Sequence, residues 1–111
     1  MFYRGEERYL DKKSDGAHYI ETLTTQILPV IKKFRPDFLV LSAGFDTFKD
    51  DPVGDFDLDT PDYATIGSML GRLKLPTVVV QEGGYHAPQL GKNVHSLLTG
   101  MSDAASNYKP K

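Results

Sequence analysis

At 111 residues, 40% of them apolar and 25% charged, the chain has the composition of one small globular domain. Its formal net charge of −2, with lysines and arginines scattered along the sequence, gives no electrostatic footprint for nucleic acid or for an anionic membrane surface. Cysteine is absent, which excludes disulfides and thiolate metal sites and leaves His, Asp, Glu and backbone oxygen as metal ligands.

Residues 1–13 are dense in charge, with Phe2, Tyr3 and Tyr9 among them. They hold no apolar leader and no later stretch reaches membrane-spanning length, so the sequence reads as soluble and cytoplasmic. Ser14 or Asp15 can cap a helix in which Ile20, Leu23, Ile27, Val30, Ile31 and Phe34 recur at three- and four-residue spacing, a face meant for burial. Pro29 lies inside that pattern and lacks the N–H of a helical ladder, which predicts a kink or break near Thr25. Arg35-Pro36-Asp37 ends the helix, and Phe38-Leu39-Val40-Leu41 then runs apolar without alternation, as a strand covered on both faces would.

From Thr47 to Asp59 the chain is rich in Asp, with Pro52 and Gly54, and has neither helical nor strand periodicity. It reads as a long solvated loop, and its carboxylate spacing does not match a calcium-binding loop. Thr60-Pro61-Asp62 then opens a helix, with Thr60 as cap, and Tyr63, Ile66, Met69, Leu70 and Leu73 form its buried stripe. Thr77-Val78-Val79-Val80 is a second buried strand that stops at Gln81-Glu82-Gly83-Gly84. A last helix is predicted over 88–98, with Leu90, Val94, Leu97 and Leu98 inward and Gly100 just past its end, and a polar tail follows over 101–111.

This order predicts an α/β fold built on a βαβ core, two parallel strands joined by a helical crossover. Ligands in such sheets sit beyond the carboxyl ends of the strands, which makes neighbours of Ser42-Ala43-Gly44-Phe45-Asp46 and Glu82-Gly83-Gly84-Tyr85. Asp46 can present a carboxylate to a crevice, or it can cap the turn that follows the strand. Gly83 and Gly84 can bring the backbone close to a ligand while Tyr85 offers a phenol to a developing oxyanion. On the same residues, the glycines can form a simple turn and the Tyr85 ring can pack at the edge of the core.

The segment 34–100, with Phe34-Arg35-Pro36-Asp37, Ser42-Ala43-Gly44-Phe45-Asp46, Asp51-Pro52, Thr60-Pro61-Asp62-Tyr63 and Glu82-Gly83-Gly84-Tyr85, resembles the C-terminal end of histone deacetylases and acetylpolyamine amidohydrolases. The run Asp46-Thr47-Phe48 with Asp51-Pro52, and then Thr60-Pro61-Asp62-Tyr63, is most similar to the amidohydrolase branch. The resemblance implies, over residues 14–100, part of the three-layer parallel sheet of the arginase/deacetylase type, flanked by helices. It also implies zinc held by two aspartates and a histidine, a zinc-activated water attacking an acetyl amide, and a tyrosine donating to the oxyanion.

Within that resemblance Asp46 is similar to the last zinc-binding aspartate and Tyr85 to the oxyanion-stabilising tyrosine. Gly44, Gly83 and Gly84 shape the loops, and Asp51-Pro52 lies in a loop that shapes the rim. The family's paired histidines and its Asp-x-His lie upstream of the matched region and have no counterpart here. Of the three histidines, His18 falls on the first helix and His95 on the last, while His86, beside Tyr85, is the substitute ligand nearest Asp46. The expectation is a truncated zinc-dependent deacetylase or amidohydrolase, inactive alone, with an upstream fragment as the complementing partner. The second expectation is a self-associating dimer with idle site residues, because a two-stranded parallel unit leaves sheet edges uncovered.

Overall fold

A computed structural model describes residues 14–106, together with the backbone of 3–4 and 7–8. Strands β1 (Tyr3–Arg4) and β2 (Glu7–Arg8) pair antiparallel; the rest of the charged N-terminal segment, and residues 107–111 of the tail, lie outside the described residues. No helix among the described residues is long and apolar enough to cross a membrane.

The first helical stretch is three pieces: α1 (Gly16–Thr22), a π turn (Leu23–Ile27) and α2 (Leu28–Phe34). Asp15 is the cap, its carboxylate accepting from the His18 N–H at 3.0 Å. The expected disturbance from Pro29 takes the form of the π turn, in which the Leu28 N–H reaches back to the Leu23 carbonyl. The hydroxyls of Thr24 and Thr25 donate to the carbonyls of Ile20 and Glu21 at 2.9 and 2.8 Å in the same region. A π turn inserts one residue into the helical register, and that changes which side chains face inward. Leu23 and Leu28 are buried, whereas Val30 and Phe34, expected on the buried face, are exposed.

Strands β3 (Leu39–Ala43) and β4 (Thr77–Gln81) pair in parallel, with Leu39 opposite Thr77 through to Ala43 opposite Gln81. Leu39, Leu41, Ala43 and Val79 turn toward the core. The opposite face is open: Val40 is 68% and Val78 60% exposed, with Val80 beside them. The expectation that both faces are covered therefore fails for these residues. Alternate side chains of a strand point to opposite faces, and the described residues pack on only one of them.

Between the strands, the 47–59 segment is no solvated loop. Phe48 and Leu58 bridge, with the Lys49 N–H donating to the Leu58 carbonyl at 2.8 Å and the Leu58 N–H to the Thr47 carbonyl at 3.0 Å. Phe48, Phe56 and Leu58 are buried in the core, and Asp51 is buried with them, while Asp50, Pro52, Val53 and Asp57 stay at the surface. Helix α3 (Thr60–Gly71) is capped one residue earlier than expected, by Asp59: its carboxylate accepts from the Thr60 N–H, and Asp62 reaches back to the Asp59 N–H, each at 2.8 Å. Reciprocal capping of this kind satisfies orphan donors of the first turn. The Thr60 hydroxyl, freed of that duty, donates to Asn93, which is buried on the next helix.

Helix α4 (Ala87–Ser106) continues through Gly100 and eight residues past the predicted end, with Met101 buried and Leu98 exposed. Gly100 is not a terminator but a contact: a Cβ there would collide with the Ala64 carbonyl of α3. Gly67 and Gly71 of α3 stand in the same relation to the carbonyls of Leu97 and Met101. The two helices meet backbone to backbone along this seam. Together with the first helical stretch they enclose a core of Leu23, Leu28, Phe45, Phe56, Leu58, Tyr63, Ile66, Leu70 and Leu97, on which the inner sheet face rests.

Candidate functional site

The carboxyl ends of β3 and β4 run into the two candidate loops, which are stitched together. The Glu82 N–H donates to the Ala43 carbonyl at 2.9 Å, continuing the parallel ladder, and the Phe45 N–H donates to the Gly83 carbonyl at 3.2 Å. Ser42 adds a side-chain bond to Glu82 at 3.2 Å. After Gly44 the chain makes one short helical turn, Phe45–Thr47, which lifts Asp46 over the sheet end. Phe45 and Thr47 anchor that turn from below: the Phe45 ring lies 5.4 Å from that of Tyr63, and the Thr47 hydroxyl is 2.8 Å from the Tyr63 hydroxyl.

Asp46 is half-buried between the two loops. A Cβ on Gly44 would lie 3.0 Å from its Oδ1, and a Cβ on Gly83 would lie 3.4 Å from its Oδ2. The glycines thus form the walls of a carboxylate-sized notch. Gly83 (φ +86°) and Gly84 (φ +131°) both hold backbone conformations that L side chains rarely adopt. The same point beside Gly83 lies 3.4 Å from the Tyr85 hydroxyl, so the Asp46 carboxylate and the Tyr85 phenol converge on one spot. Among the described residues no hydrogen-bond donor meets the Asp46 carboxylate. Its charge is felt by the phenols below: burial, reinforced by Asp46, pushes Tyr19 up to about 12 and raises Tyr63 as well.

Asp51 has a different environment. It is buried, with Oδ1 accepting from the N–H groups of Val53 and Gly54 at 2.8 and 2.9 Å and Oδ2 from the Tyr85 N–H at 2.7 Å. Burial alone would raise its pKa, but the donors of Tyr85, Val53, Gly54 and His86 together hold it below the usual carboxylate value. The sequence reading gave Asp51 only a place on the rim. Asp followed by Pro, with Gly at the fourth position, is the signature of a type I turn, and that was the available signal.

His86 places its ring against Phe48, 5.4 Å between centroids, and its carbonyl accepts from Gln89 and Leu90 to start α4. His18 lies on α1 and His95 on α4, beside Thr99. Among the described residues no three His, Asp or Glu side chains converge as a metal set, with or without His86. A catalytic zinc takes three protein ligands, so these residues do not by themselves fit the metal.

A parallel βαβ core with a carboxylate and a phenol converging beyond its strand ends has the α/β architecture of the arginase/deacetylase fold. The chain belongs to the histone deacetylase domain family, whose model matches residues 7–101. It is 45% identical over 75 residues to acetylpolyamine amidohydrolase 1 of Pseudomonas aeruginosa, a match covering 68% of this chain and 22% of that protein. It is 46% identical over 71 residues to the acetylpolyamine amidohydrolase of Burkholderia pseudomallei, covering 64% of this chain and 21% of that one. The crystal structure of acetylpolyamine aminohydrolase from Burkholderia pseudomallei superposes with a TM-score of 0.81 at 38% identity, over 86% of this chain and 28% of that one. The HD domain of HDA15 follows at 0.76 and 28%, with the same coverage. The chain therefore spans about a quarter of the length of the relatives it matches.

Proposed function

We propose that this chain supplies the aspartate and tyrosine edge of a zinc-dependent deacetylase site for acetyl amides such as acetylpolyamine or acetyl-lysine, and that it does not turn over alone. The observation that carries the reading is the convergence of the Asp46 carboxylate and the Tyr85 hydroxyl on Gly83. Asp46, without a donor among the described residues, is a free ligand; Tyr85 is a donor for an oxyanion. Zinc, when bound, would supply Lewis acidity and an activated water. Residues 14–106 offer one ligand and no histidine pair, so the other ligands come from outside these residues.

The test is deacetylation of an acetylated polyamine and an acetyl-lysine peptide with zinc present. The chain is assayed alone and mixed with the part of the Pseudomonas amidohydrolase that the match does not cover. The expected result is turnover in the mixture only, lost with Asp46→Ala and with Tyr85→Phe. Turnover by the chain alone, or a mixture that associates and stays inactive, would sink it. One observation favours a second reading, a self-associating module: the open apolar face of Val40, Val78 and Val80. A stable dimer by sedimentation that retains no zinc supports that reading.

A further inference from the structure

Two consecutive glycines make the loop before Tyr85 a poor support for a positioned phenol. Gly83 and Gly84 lose more conformational freedom on ordering than any other residues would, and neither supplies a side chain to pack. Tyr85 itself is 57% exposed, so burial of its ring does not hold it. Among the described residues, backbone hydrogen bonding holds the loop at three points. The Gly83 carbonyl accepts from the Phe45 N–H, the His86 carbonyl accepts from the first turn of α4, and between them the Tyr85 N–H donates to Asp51.

The middle point is the one closest to the phenol, and it is the only one of the three made by a side chain. Asp51 is itself immobilised: its N–H donates to the Phe48 carbonyl at 3.1 Å, and its Oδ1 is occupied by Val53 and Gly54. Only Oδ2 is left to reach out of its own turn, and it reaches Tyr85 at 2.7 Å, a short charge-assisted bond.

We propose that Asp51 is the positioning residue of this site, a buried carboxylate that fixes the Tyr85 backbone and so aims the Tyr85 hydroxyl at the point beside Gly83 where the Asp46 carboxylate also lies. The aspartate acts through the Tyr85 main chain and touches neither ligand nor substrate. This inference rests on the reading of Tyr85 as a site residue. The measurement that tests it, however, is of loop geometry in the 111-residue chain and needs no turnover. A failure of the deacetylase assay and a failure of the clamp are therefore separate outcomes.

The experiment is amide hydrogen exchange and proton NOE spectroscopy by NMR on the wild-type chain and on Asp51→Asn. In the wild type the Tyr85 amide should exchange at least tenfold more slowly than that of Gly84, which has no acceptor among the described residues, and the Tyr85 ring should show an NOE to Gly83. In Asp51→Asn the Tyr85 amide should lose about tenfold in protection and the NOE should weaken, while amides of β4 and α3 change less than twofold. A residue with a merely structural role would lower protection everywhere and leave the NOE in place, and that result would overturn the proposal. If the variant does not fold, the wild-type comparison decides alone: a Tyr85 amide exchanging as fast as that of Gly84 rules out the clamp.

Discussion

Asp46 and Asp51 stand on successive turns of one loop, carry the same side chain, and are used in opposite ways. Asp51 is enclosed and saturated with backbone donors; Asp46 sits between two glycines with no donor among the described residues. A carboxylate whose lone pairs are satisfied inside the fold stabilises the fold and is closed to ligands. One left without donors contributes little to folding and remains open to a cation. Residue identity and proximity do not separate the two. The count of N–H groups aimed at each one does.

The comparison breaks first at Asp51. Asp51→Ala strands donors of Val53, Gly54 and Tyr85 in a buried place and should cost about 3 kcal/mol, measured by urea unfolding. Because the native pKa of Asp51 is lowered from 3.8, its stabilisation is fully present above that value and is lost as pH falls through the lower native one. The wild type should therefore lose stability on acidification through this range more steeply than Asp51→Ala. Parallel pH profiles would show that the carboxylate is not the stabilising group.

Gly83→Ala tests the notch that holds the Asp46 carboxylate. At φ +86° an alanine is strained by about 1–2 kcal/mol. Its methyl also enters ordinary contact range of both the Asp46 carboxylate and the Tyr85 hydroxyl. The expected outcome is a modest fall in urea midpoint with a displaced Tyr85 ring signal. The smallest effect is at Asp46, where Asp46→Asn removes a charge that no described donor meets. Stability should change by no more than about 0.5 kcal/mol, and a loss comparable to that of Asp51→Ala would erase the distinction.

Much of the fold was legible in the sequence because local signals agreed with it. Pro29 announced a disturbed helix, Thr60-Pro61-Asp62 an N-terminus, and the two apolar runs a parallel pair. What was not legible depended on neighbours distant in sequence. The open face of Val40 and Val78 cannot be told from a covered one by composition, since a run apolar on both faces reads the same with or without its second layer. Gly100 looked like a terminator because glycine ends helices often; only the proximity of Ala64 explains a glycine in mid-helix. In the site, the glycines and Asp46 were visible as a pattern. The role of Asp51 was not, because its principal partner, the Tyr85 N–H, lies 34 positions away.

The glycine seam between α3 and α4 sets how far these two helices can shift against each other. Most helix pairs are separated by a layer of side chains that can change rotamer and absorb a shift. Here Gly67, Gly71 and Gly100 bring main chain against main chain at three points. One helix emerges directly from the turn ending at Asp59, the other from His86 at the end of the tyrosine loop. A methyl added at any of these three glycines would therefore wedge the two helices apart, because what it meets is main chain and not a side chain that can turn aside.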